Sequence, residues 1–138
     1  MRIRRADAQA LLEGARAGYP FEVCGVLLGR GTAVTAVVPV ANREGASPRV
    51  RFEVAPEDLL RIQREARDAG LEIVGYYHSH PDHPARPSAR DGETAARGLS
   101  DGVLHVIVAV DAAGRTDATA WVYREGEAGF EAEPFEVE

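Results

Sequence analysis

The sequence predicts an α+β (α/β) fold: a mixed central β-sheet flanked by helices. Three observations carry that expectation. Two stretches place apolar residues at helical spacing, several short apolar runs are bounded by turn residues, and the runs fall in the order α-β-β-β-α-β-α-β-β. Adjacent hairpins interleaved with helices favour helices packed on a mixed sheet over a purely parallel one. At 138 residues the chain is expected to form a single domain, 1–138. A domain of that length buries roughly two thirds of its unfolded surface and needs no disulfide.

The first helix is expected from about Ala6 to Ala17, where Ala8, Leu11, Leu12 and Ala15 share one face, with Gly18 and Pro20 as stop signals. Val23–Gly29 reads as a strand, Arg30-Gly31 as a turn, and the run from Thr32 to Val40 as its hairpin partner. Pro39 suits an edge or a strand end. The alternating run Arg49–Val54 reads as a third strand. Pro56 opens a second helix to about Ala69, with Glu57 and Asp58 complementing its dipole and Gly70 ending it. Leu71–His80 reads as a strand, and the prolines between Pro81 and Pro87 impose a loop. A short helix follows Ser88 and ends near Gly98. Val103–Val110 is apolar enough for a central strand, with Thr116–Tyr123 as its hairpin partner. The acidic tail from Glu125 offers one more strand.

Composition removes several function classes. The formal charge of −6 argues against a non-specific nucleic-acid binder. All 16 basic residues are arginine, which excludes lysine Schiff-base chemistry and a P-loop lysine. The single cysteine, Cys24, allows no internal disulfide and fits a reducing, cytoplasmic setting. The N-terminal stretch has no apolar core of signal-peptide length, and no run approaches the roughly 20 apolar residues of a membrane span.

Histidine is concentrated where the chemistry is expected. Three of the four histidines lie in Tyr77–Asp91, YHSHPDHPARPSARD. In a strand His78 and His80 point to one face with Cα atoms roughly 6.6 Å apart, close enough for two imidazole nitrogens to meet one metal ion. Ser79 points the other way, and Pro81 is expected to stop the ladder. Asp91 is the natural third ligand, giving a His-His-Asp set with donors that suit zinc. Ser88 and Asp91 also form S-x-x-D, the pattern of a helix capping box, and a cap there leaves Asp91 one turn inside the helix, able to face the histidines. His83 is a spare ligand or a solvated loop residue. His105, within an apolar run, reads as a satisfied core or strand histidine.

Amide hydrolysis at such an ion also needs a carboxylate that takes and returns a proton. With 22 acidic residues the sequence does not select it uniquely. Glu22 stands out by context, since a glutamate at the mouth of an apolar strand is partly desolvated and its pKa rises.

YPFEVCGVLLG followed by HSHPDHPARPSARD resembles the JAMM/MPN+ zinc metalloprotease family, in its compact prokaryotic form. The family signature is an upstream glutamate in a P-x-E-x-C-G-like setting, then H-[ST]-H-P-x6-S-x2-D. Glu22, His78, Ser79, His80, Pro81, Ser88 and Asp91 fill it. The resemblance implies an MPN/JAMM architecture, similar to cytidine deaminases, with one catalytic zinc ion held by His78, His80 and Asp91. It implies Glu22 as general base and acid, and Ser88 as oxyanion stabiliser. It further implies a peptidase or isopeptidase acting after the C-terminal Gly-Gly of a ubiquitin-like or sulfur-carrier protein, in processing, deconjugation or release of cysteine. A homodimer is left open. The substrate tail is expected in a groove beside a sheet edge. The chain is near minimal length and lacks the insertions with which chain-cleaving members grip ubiquitin.

The competing readings are weaker. A non-catalytic MPN-type interaction module does not need the complete ligand set. A zinc deaminase needs H-x-E and P-C-x-x-C, which one cysteine cannot supply. Cys24 in an apolar strand suits packing better than nucleophilic attack.

Overall fold

The computed structural model describes residues 1–45, 52–98, 101–126 and 129–138. Among these the elements are β1 (Arg2–Ile3), α1 (Arg5–Gly18), β2 (Cys24–Arg30), β3 (Ala33–Val40), α2 (Pro56–Asp68), β4 (Glu72–Pro81), α3 (Ala89–Gly98), β5 (Leu104–Val110), β6 (Thr116–Arg124), β7 (Gly129–Glu133) and β8 (Glu136–Val137). The strands form one eight-stranded sheet in the order β7-β6-β5-β4-β2-β3-β1-β8. Hairpin neighbours run antiparallel, whereas β4 pairs β5 in parallel through α3, so the sheet is mixed as expected.

The two sheet faces follow from strand alternation. Leu27, Tyr77, Val106 and Val108 join Leu11 and Ala15 of α1 in one core. Val26, Leu28 and the half-buried Tyr76 join Ile62 and Ala66 of α2 in the other. Complete burial of a side chain such as Leu27 or Ile62 stabilises the fold by about 1.5–3 kcal/mol. Because side chains alternate, β4 sends Ser79 with Tyr77 toward α1, and His78 and His80 with Tyr76 toward α2. The same rule puts His105 of β5 on the α2 side, opposite Val106 and Val108.

Three expectations need correction. The strand expected over Arg49–Val54 lies partly outside the described residues, and Phe52–Val54 are not in a strand. They meet the chain just beyond β3 through single bonds, Arg43 N–H donating to the Glu53 carbonyl at 2.8 Å and Glu53 N–H donating to Asn42 Oδ1 at 3.0 Å. The alternation of Phe52 and Val54 instead marks a segment laid against the α2 face, where Phe52 stacks on His78 at a ring separation of 4.7 Å. Pro81 does not stop the ladder at His80: it remains in register with Val110 of β5, where a missing N–H costs nothing because Asp82 N–H takes the next bond, to Val110 O at 2.8 Å. Strands β1 and β8 were not expected, since two residues carry no periodicity. The strand order ends on β7 and β8, but β1 pairs only Ala33 and Val34 of β3, so among the described residues the outer side of β3 from Thr35 to Val40 has no strand partner, and Val40 stands opposite Cys24 of β2.

Candidate metal centre

Each chemical side chain is placed by a local device. His78 and His80 arrive on one face of β4 by alternation, and both are buried. Asp91 arrives through the cap of α3. Ser88 N–H donates to Asp91 Oδ2 at 2.8 Å and Asp91 N–H donates to Ser88 Oγ at 3.1 Å, the reciprocal pattern of a capping box. That cap turns the Asp91 carboxylate toward the histidines: Oδ1 lies 3.2 Å from His78 Nε2 and Oδ2 lies 3.0 Å from His80 Nε2. Glu22 immediately precedes β2, with its carbonyl held by Asn42 Nδ2 at 3.0 Å. Ligand atoms of Glu22, His78 and His80 all lie within 4.8 Å of one another.

The tautomers can be read from the partners. His80 Nδ1 is 2.7 Å from the Pro84 carbonyl, which only accepts, so that nitrogen carries the hydrogen. A neutral His80 therefore turns a bare electron pair toward Asp91 Oδ2 and toward His78 Nε2, 2.9 Å away. Electron pairs and a carboxylate packed this closely repel unless a cation, either a proton or a metal ion, sits among them. Two imidazole nitrogens and a carboxylate oxygen are the donor set of a nitrogen/oxygen metal site, and the residues fit one.

The two acids are driven apart. Burial raises the Glu22 carboxyl to about 7, with the Asp91 charge adding to it and His80 and Arg90 opposing. Glu22 Oε2 is buried without a hydrogen-bond partner. Burial also opposes ionisation of Asp91, but in the metal-free protein a proton on the facing Nε2 atoms lets His78 and His80 donate to it, which outweighs burial and holds this carboxyl well below the usual carboxylate range. Burial lowers His78. A groove of about 460 Å³ opens over the cluster, lined by Glu22, His80, His83, Pro84, Ser88 and Arg90 among others. It lies between the start of β2, the Pro81–Pro87 loop and the first turn of α3.

All five residues singled out in the sequence, Glu22, His78, His80, Ser88 and Asp91, meet at this place. His83 lines the groove but is exposed. Cys24 is buried, its thiol pushed up to about 12 by burial and by Glu22, so it carries no thiolate at neutral pH. One residue at the site was missed. His105 Nε2 lies 2.7 Å from His78 Nδ1, and burial, followed by the neighbouring His78, pushes its pKa down to about 3. It is a satisfied histidine at one nitrogen only, for its Nδ1 has no partner.

Residues 5–123 match the family described as prokaryotic homologs of the JAB domain. The chain belongs to this family. This JAB-domain chain is 43% identical over 111 residues to a desampylase of Haloferax volcanii, covering 79% of the chain and 76% of the relative. It is 37% identical over 87 residues to a probable TtuB-protein conjugate cleaving protease of Thermus thermophilus, covering 60% of the chain and 57% of that protein. Among solved structures, a protein from Desulfitobacterium hafniense superposes on the JAB-domain chain with a TM-score of 0.83 at 27% identity, covering 100% of this chain and 93% of that one.

Proposed function

We propose that the chain is a zinc-dependent peptidase or isopeptidase that hydrolyses the amide bond after the C-terminal Gly-Gly of a ubiquitin-like or sulfur-carrier protein. One observation carries the reading. A buried carboxyl raised to about 7, Glu22, with one oxygen unpartnered, faces two imidazoles and a second carboxylate whose electron pairs converge. The desampylase and the TtuB-conjugate protease among its relatives support the substrate class.

The roles divide by proton affinity. Asp91, held anionic, is with His78 and His80 the ligand set, and zinc is the ion such a set suits. Bound there, zinc supplies Lewis acidity for a carbonyl oxygen and for water. Glu22 is poised near neutral pH, so it can both accept and return a proton. It takes the proton of the attacking water as the scissile carbon becomes tetrahedral, then gives it to the departing amine. The Ser88 hydroxyl accepts from Asp91 N–H through Oγ and still has a hydrogen to donate to the oxyanion. Gly-Gly, without side chains, suits a narrow groove walled by Pro84 and Pro87.

The setting is the cytoplasm, as the free Cys24 suggests, and among the described residues no helix is long and apolar enough to cross a membrane. One domain spans 1–138, a reading supported by the pairing of β1 with β8, which joins the two ends of the chain.

The test is incubation with a carrier whose terminal Gly-Gly is fused to a second protein, read by mass spectrometry with and without chelator. Cleavage after the second glycine, lost with chelator and restored by zinc, is expected. An intact fusion that binds the zinc-loaded chain would make it a non-catalytic interaction module instead.

A further inference from the structure

His80 and His78 are held by different kinds of partner. His80 gives its Nδ1 hydrogen to a carbonyl, which leaves one tautomer. His78 meets a second imidazole, His105, with 2.7 Å between Nδ1 and Nε2. A single hydrogen lies between those two nitrogens, and which ring owns it decides what His78 can do.

If His78 owns it, the neutral ring keeps a bare electron pair on Nε2, aimed at Asp91 and His80. If His105 owns it, the remaining hydrogen of His78 must sit on Nε2, 3.2 Å from Asp91 Oδ1, and fills the place of an ion. We infer that His105 is a positioning residue: by accepting from Nδ1–H of His78 it keeps the Nε2 electron pair of His78 directed into the metal site. This rests on the assignment of His78 as a ligand.

Two further observations bear on it. His105 is 6% exposed and His78 is fully buried, so water does not compete for the shared bond. His105 Nδ1 is buried without a partner, and Phe130 meets the ring edge-on at 5.5 Å. When His78 is competent to bind metal, His105 carries its own hydrogen on that partnerless Nδ1. When it is not, the Nε2 hydrogen of His105 donates to His78 and Nδ1 is bare. Either state leaves that buried Nδ1 without a partner, as a donor in the first and as an acceptor in the second, so the choice between them is made at the shared bond. A partner that can also donate makes ligand competence a two-state property of the His78–His105 pair. Such partners set affinity as well as orientation: removing one typically weakens metal binding by about 10–100-fold.

The register explains why these two residues meet. Tyr76 stands opposite His105 and His78 opposite Ile107 on the parallel strands β4 and β5, so His78 and His105 are diagonal neighbours on one face. A residue serving only to fill that space would leave the tautomer of His78 untouched.

The direct test uses the wild-type protein, whose 4 histidines are few enough to assign by long-range 15N–1H spectra. In the zinc-loaded protein His78 and His105 should each be protonated at Nδ1. A loaded protein with the His105 hydrogen on Nε2 overturns the inference, whatever the variants do. Two variants add a readout independent of turnover, zinc affinity measured by competition with a chromophoric chelator. His105→Phe keeps a ring without an acceptor and should bind zinc about 10–100-fold more weakly. His105→Gln, with an amide oxygen able to accept, should stay within a few-fold of wild type. Equal affinity in His105→Phe and wild type overturns the inference, as does an equal loss in both variants. Full zinc retention by His78→Ala would instead strike the ligand assignment beneath it.

Discussion

Ser79 and Val23 exchange two hydrogen bonds: Val23 N–H donates to Ser79 Oγ and Ser79 N–H donates to the Val23 carbonyl, each at 2.9 Å. Val23 follows Glu22, so the strand that carries the histidines also clamps the backbone of the proposed base. The serine between the two histidines points away from the proposed metal site, yet it fixes the distance between the proposed ligands and the acid. Ser79→Ala leaves the partly buried Val23 N–H without its side-chain acceptor, at a cost of about 1 kcal/mol. We expect lower stability to urea and a lower kcat at full zinc occupancy. An unchanged kcat would show that Glu22 is held without this clamp.

Glu22 predicts a pH dependence of stability in the chelated protein. Its carboxyl is raised from 4.5 to about 7, chiefly by burial. Between those values the folded chain holds a proton that the unfolded chain has released. Stability contributed by this group therefore falls as pH rises through that window and levels off above about 7. The difference amounts to about 1–3 kcal/mol. Glu22→Gln should remove that slope in urea titrations at pH 4.5 to 8, while the remaining groups titrate alike in both proteins. In the zinc-loaded enzyme the same substitution should lower kcat by about 10²–10⁴-fold with metal content unchanged. Parallel stability profiles for variant and wild type would mean an ordinary, solvated carboxylate.

What was legible in the sequence was what is local in the chain. The H-x-H spacing fixes a shared face because strand alternation is a backbone property, and S-x-x-D fixes a cap because its bonds span three residues. The helices were found within a residue or two, since Leu11, Ala15, Ile62 and Ala66 repeat with the helical period. What depended on register was not legible. His105 belongs to the site only because β5 runs parallel to β4 with Tyr76 opposite His105. Alternation within Leu104–Val110 did separate His105 from Leu104, Val106 and Val108, and that was the available signal. Phe52 was misassigned to a strand because apolar alternation reports half-burial, whichever backbone produces it.

Metal removal should be felt in stability as well as in turnover. An ion that binds only the folded chain adds about 2.7 kcal/mol at a hundredfold excess over its Kd. For a chain of this size, chelation should lower Tm by about 10 °C. His80→Ala should lose bound metal, and its Tm should no longer respond to zinc or chelator. A zinc-dependent Tm in that variant would place the ion elsewhere.

Ser88 has an observed capping duty and a proposed catalytic one, which can be separated by comparing readouts. Its Oγ accepts from Asp91 N–H, and its backbone N–H donates to the Asp91 carboxylate. Ser88→Ala removes the first contact and keeps the second, so α3 should lose about 0.5–2 kcal/mol of cap stabilisation while Asp91 keeps one anchor. If the hydroxyl also donates to the oxyanion, kcat should fall by about 10²–10³-fold, far more than the cap accounts for. Ser88→Thr restores both the acceptor and the hydroxyl hydrogen and should recover cap and kcat together. Recovery of stability without recovery of kcat would mean that the added methyl group obstructs the groove. A Ser88→Ala variant with wild-type kcat at saturating zinc would confine this serine to the cap.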